Sequence, residues 1–196
     1  MKKLLAAPLL ALSTTAVASD VKWDSLELSK ETIKLEGLDD FRGYSFKGTK
    51  NVDGLLLTVS KSEVKSDNRF NFYSNNFNVT AKVESISFGV GVVQEVSETA
   101  DFFVSLNHIE IESSLSFLGY SVSEDEKGTA LEMGVRSMFS DNLELNGSVS
   151  VIDSMENEPS INIGANYYLT DSFSIGLSAA KSKGVSGSAV IAKMYF

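Results

Sequence analysis

From residue 20 onward the chain alternates apolar with small or polar residues in short runs. This is the period of two that belongs to β-strands rather than helices. The pattern is cleanest over Leu143 to Val151, Ile161 to Leu169 and Phe173 to Ala179. Ile86 to Val92, Leu131 to Val135 and Ser188 to Phe196 follow the same rule. Trp23 to Ser29, Gly43 to Thr49, Leu55 to Ser60 and Phe102 to Ile109 follow it more loosely. With their flanks, these segments predict ten strands of about the 9–11 residues that a tilted strand needs to cross a bilayer.

The connections carry a second pattern. Asn51-Val52-Asp53-Gly54, Ser140-Asp141-Asn142 and Thr170-Asp171-Ser172 are tight turns, with Ser97 to Asp101 slightly longer. Their residues tolerate left-handed geometry and bond locally to the backbone. Ile33 to Asp40, Ser62 to Val83, Glu112 to Gly128 and Ser154 to Pro159 read as longer, charged connections, while the one near Lys183-Gly184 is short. Short turns on one rim and long loops on the other are expected of a barrel with periplasmic turns and external loops.

Residue types decide which face is inside. One face carries Leu143, Leu145, Val149 and Val151, then Ile161, Ile163 and Leu169, then Phe173, Ile175 and Leu177. The other carries Asn146, Ser148, Asn162, Gly164, Asn166, Ser174, Gly176 and Ser178, with few long charged side chains. Small polar residues suit a crowded interior and a uniform apolar face suits lipid. The expected fold is all-β: a closed antiparallel up-and-down transmembrane barrel of ten strands, with eight as the alternative.

The remaining composition fits that reading. Lys2 and Lys3, the apolar run Leu4 to Leu12 and Ala16-Val17-Ala18 form a signal-peptide pattern. Residues 1–18 are expected to be removed, leaving one barrel domain over 19–196 and an address in the bacterial outer membrane. A formal charge of −9 argues against nucleic-acid binding. No cysteine and one histidine leave little for thiol, zinc or haem chemistry, so no cofactor or metal is expected. At the chain end Val190, Ala192, Met194 and Phe196 share one face. A terminal aromatic on an alternating last strand resembles the assembly signal of bacterial outer-membrane barrels, which implies the barrel-assembly machinery as a partner during biogenesis.

The stretches GVRSMFSDNLELNGSVSV, GANYYLTDSFSIGLS and the closing AKMYF resemble the small, porin-like outer-membrane β-barrel family of marine gammaproteobacteria. The likeness runs from about Ser85 to the C-terminus. It implies a barrel of eight or ten strands with short periplasmic turns and no established substrate. His108 departs from it, standing where an aromatic residue is usual at the external end of the fifth strand.

Ten strands would enclose a narrow lumen. Parity turns Glu132, Arg136, Glu144 and Lys193 inward, with Lys47 and, on weaker alternation, Glu27. Opposite charges in so narrow a space should pair, because an isolated buried charge is costly. Arg136 with Glu132, i and i+4 on one strand face, is one expected pair; cross-strand partners are the other possibility. These charges predict a structural network in place of an apolar core, hence a structural or narrow porin-like role and a monomer among outer-membrane lipid and lipopolysaccharide. Phe70, Phe72, Tyr73 and Phe77 define an alternative, a contact patch in the segment 62–83, unless the neighbouring strands simply run past the bilayer there. His108, with Glu110 and Glu112 nearby, would suit a general base. Parity, however, places it on the lipid face, so no enzyme is expected. Glu124-Asp125-Glu126 and Glu156-Asn157-Glu158 lack calcium-loop spacing and read as solvated charge.

Overall fold

The structure, a computed structural model, describes residues 20–35, 39–72, 75–118, 120–153 and 158–196; over 68–72 and 75–78 it describes the backbone alone. The expected signal peptide, Tyr73, and the side chains of Phe70, Phe72 and Phe77 lie outside these limits.

Ten strands form one closed barrel: β1 (Ser25–Leu35), β2 (Phe41–Val52), β3 (Leu55–Phe72), β4 (Asn75–Ser97), β5 (Ala100–Phe117), β6 (Tyr120–Ser140), β7 (Leu143–Ile152), β8 (Pro159–Thr170), β9 (Phe173–Ser182) and β10 (Val185–Tyr195). Each strand pairs antiparallel with its neighbours in sequence, and β1 closes on β10 through the register Ser25↔Tyr195 to Leu35↔Val185. Closure removes the open edges that a sheet of this size would otherwise expose.

The alternation sorts as predicted. Leu145, Ile163 and Leu177 stand on the outer surface, 41%, 60% and 64% exposed. Asn146, Asn162 and Ser178 line the lumen. Small inward residues are required where the wall curves tightly. A Cβ on Gly134 would lie 2.5 Å from the Gly147 carbonyl oxygen and 2.8 Å from the Phe103 ring. At the β2–β3 turn Asp53 and Gly54 both take positive φ, 52° and 85°, as a two-residue type I′ turn demands.

The strand lengths depart from expectation. Ser62 to Val83 and Glu112 to Gly128, read as loops, are strand for nearly their whole length. β3 pairs β4 out to Phe72↔Asn75, and β5 pairs β6 out to Phe117↔Tyr120. The flanking strands stop earlier: β2 accompanies β3 only to Arg42↔Lys65, and β7 meets β6 only from Ala130. A four-stranded overhang therefore stands beyond the long-hairpin rim. Most of its described residues are exposed or half-exposed, while its backbone hydrogen bonds continue regardless.

Candidate functional site in the barrel lumen

The inward residues form two levels. At the tight-turn end a buried layer crosses the lumen. The segment leading into β1 turns into this mouth and places Val21 and Trp23 against Leu56, with Val93, Phe103 and Met138 packed around them. Trp23 stacks edge-on to Phe103, ring centroids 5.5 Å apart. Its Nε1 donates to Asp101 Oδ2 at 2.6 Å. An indole is buried at little cost when its N–H finds such an acceptor.

Arg136 lies over the Trp23 ring, 4.3 Å from its centroid. Its Nε and Nη2 donate to the two oxygens of Glu144 at 3.1 and 2.6 Å, and Nη2 also reaches the Lys22 carbonyl at 2.8 Å. Glu144 is fully buried and accepts further bonds from Asn166 Nδ2 at 3.0 Å and Tyr168 OH at 2.8 Å. Tyr168 in turn stacks on Tyr195. This is the fork geometry in which a buried ion pair keeps its hydrogen-bonding capacity filled.

Arg136 therefore pairs with Glu144 and makes no bond to Glu132. The reason is metric. Residues i and i+4 on a strand stand about 13 Å apart. The register Arg136↔Asn146 and Met138↔Glu144 instead puts Glu144 on the neighbouring strand, one diagonal step away and within side-chain reach.

Above this layer is a cavity of about 320 Å³, lined in part by Trp23, Lys47, Asn107, Glu132, Asn162 and Lys193. Lys193 Nζ lies 3.1 Å from Glu27 Oε2. Glu27 faces Lys47 across one strand pair and Lys193 across the other, so the three form a single row. Lys47 and Glu132 reach into the cavity with no ion pair among the described residues. Ser105, Ser148 and Ser178 add to the lining, and elsewhere on the inward face Ser29 lies 2.5 Å from Ser45 and Ser60 2.8 Å from Ser87.

The other singled-out residues lie elsewhere. His108 is on the outer face beside Phe88 on β4, with Nε2 3.4 Å from Glu110 Oε1. Glu110 is held by Lys127 at 2.7 Å. Val190, Met194 and Phe196 are exposed on the outer surface, 59%, 50% and 66%. At the rim where β2 ends, Lys65 and Lys82 sit 2.8 and 3.2 Å from Glu63, and these contacts hold its carboxyl down at about 2. Among the described residues no group of His, Asp and Glu is arranged to hold a metal ion.

Trp23 and Asp101 are lumen residues that strand parity did not single out, whereas Tyr168 falls on the inward face that parity gives. Trp23 reads as the start of β1, but it precedes the first paired residue. The only sequence signal for it is that it is the sole tryptophan of the chain.

No family model matches the chain, and no curated protein sequence does. Solved structures do share its fold. A KdgM porin in complex with disordered oligogalacturonate is 10% identical, with 88% of this chain and 99% of that one covered, at a TM-score of 0.53. The translocator domain of the autotransporter NalP from Neisseria meningitidis is 12% identical, with 94% and 91% covered, at 0.53. The NanC porin is 6% identical, with 86% and 99% covered, at 0.50. At such identities what is common is the closed antiparallel barrel.

Proposed function

We propose that the chain is a monomeric barrel of the bacterial outer membrane, exported through its N-terminal segment, whose lumen is shut at the tight-turn rim. Its role is structural: it is a wall element with a closed polar vestibule and carries out no catalysis. A membrane setting follows from physical chemistry. A ring of outward leucine, isoleucine, valine and phenylalanine on every strand would be unfavourable in water and favourable in hydrocarbon. In that setting the tight turns face the periplasm and the overhang faces outward. The C-terminal face of Val190, Ala192, Met194 and Phe196 is what the assembly machinery would meet. The marine gammaproteobacterial resemblance belongs to the same reading.

The observation that carries closure is the Trp23–Arg136–Glu144 layer. It puts an indole, a guanidinium and a carboxylate across the lumen with their bonds to one another filled. Passage of a solute would require displacing the segment 20–24, which Asp24 ties down through Lys50 and through the Asn51 amide at 2.7 Å. Planar-bilayer recording tests this. Wild type should be silent, and Trp23→Ala should open discrete events. Steady wild-type channels would overturn closure in favour of the porin role that the KdgM and NanC barrels carry in their names.

A second reading rests on the overhang. Leu115, Tyr120 and Val122 are 51%, 79% and 71% exposed there, beyond any position that lipid would cover. They offer a contact surface to a partner or a glycan. Loss of binding to cells or glycans on trimming the hairpins, with the barrel intact, supports it.

A further inference from the structure

At the long-hairpin side the outward apolar run ends in a cation on β9, β1 and β2, in Lys61 on β3, and in an anion on β4 and β5. On β9 Phe173, Ile175, Leu177 and Ala179 give way to Lys181. On β1 Leu26 and Leu28 give way to Lys30 and then Lys34. On β2 Phe46 and Tyr44 give way to Arg42. On β4 and β5, in contrast, Ile86 is followed by Glu84, and Leu106 and His108 by Glu110.

The register draws the cations into a patch. Lys34 faces Ser186 of β10, which faces Lys181 of β9. In the next outward row Arg42 faces Thr32, and Thr32 faces Ser188. Two strand spacings separate Lys34 from Lys181, about 10 Å. All four cations are exposed. Arg42 has Asp40 at 3.7 Å, while Lys30, Lys34 and Lys181 have no ion pair among the described residues. These exposed cations stand at the edge of the apolar belt, open to a ligand outside the chain.

We propose that Lys30, Lys34, Arg42 and Lys181 dock a membrane lipid whose headgroup carries more than one phosphate, with Thr32, Ser186 and Ser188 supplying hydroxyls between the phosphates. The proposal rests on the membrane reading above. The patch is continuous with the apolar belt, where headgroup phosphates begin. Its span exceeds what a single phosphate can bridge, so a bisphosphorylated headgroup fits it and a monophosphate engages one side only. Guanidinium and ammonium groups are the natural partners of such oxygens.

The test uses the full-length barrel in phosphatidylcholine nanodiscs titrated with bisphosphorylated lipid A, with retained lipid read by native mass spectrometry. Each cation neutralised should weaken retention about fivefold. Lys34→Gln with Lys181→Gln should therefore lose most of it, Lys34→Arg with Lys181→Arg should keep it, and Lys127→Gln, on the far side, should leave it unchanged. Equal retention by wild type and the double Gln variant overturns the proposal, as does an equal loss in Lys127→Gln. Displacement of the lipid by millimolar inorganic phosphate alone would overturn the two-phosphate requirement. Insertion is scored separately, as a folded band that shifts on boiling in phosphatidylcholine without lipid A. If wild type gives no such band, it is the membrane reading that fails.

Discussion

The six strands β7–β10, β1 and β2 and the four strands β3–β6 obey the same pairing rule but end differently. In the first, strands of 10 to 12 residues stop at the long-hairpin rim, a few residues past their outward apolar positions. In the second, strands of 18 to 23 residues continue into water. The wall is held by closure, tight inward packing and a buried ionic layer. The overhang is held by backbone ladders and exposed ion pairs, which are worth little individually and are screened by salt. The lesson is that strand length and burial are separable: hydrogen bonding extends a ladder well past the point where side chains have anything to bury against.

That contrast predicts a steep gradient of mutational effect. The largest belongs to the lumen layer. Arg136→Ala leaves Glu144 buried without its counter-charge and should cost about 3–5 kcal/mol. This is readable as a lower temperature at which the folded gel band is lost. Arg136→Met combined with Glu144→Leu should recover most of it, because an apolar pair removes the uncompensated charge. Next comes the wall itself. Gly134→Val forces side-chain carbons against the Gly147 carbonyl and the Phe103 ring and should cost about 1–3 kcal/mol by urea midpoint.

Smaller still is the response to acid at the foot of the overhang. Glu63 has its carboxyl lowered from 4.5 to about 2 by Lys65 and Lys82. What it lends to the β3–β4 hairpin is therefore in place above pH 4.5 and disappears as the pH falls from there toward 2. Amide exchange should quicken in the overhang over that interval while the wall amides stay protected, and half-molar salt should shrink the difference. Least of all, replacing Asp67–Thr80 by Asn-Gly should leave the melting temperature of the barrel where it was. A large drop there would make the overhang part of the wall and dissolve the comparison.

Sequence reading reached the wall and faltered at the overhang for the same physical reason. Over Leu143–Val151 and Ile161–Leu169 one face meets a polar lumen and the other an apolar surface, so the alternation is written into the residues. Over Glu112–Lys127 most described side chains meet water on both faces, and over Ser62–Asp67 the buried face is carried by only Val64 and Ser66, too short a run to mark the ladder. The inward set Lys47, Glu132, Arg136, Glu144 and Lys193 follows from parity alone. Which of them bond does not, because that depends on cross-strand register, and register is set by turns and by the bulge between Met138 and Ser140. Trp23 was beyond reach for another reason: its partners Asp101 and Arg136 are more than seventy residues distant in the chain, and only the return of the chain to its own mouth brings them together.

The seam between β1 and β10 has a consequence for how the molecule is made. The tryptophan and β1 just after it are synthesised before the other nine strands, yet the strand that closes on β1 is the last of the ten. Trp23 precedes that seam by only two residues. It can be clasped by the cylinder only as the two ends zip together, so corking the bore and completing the cylinder are one event.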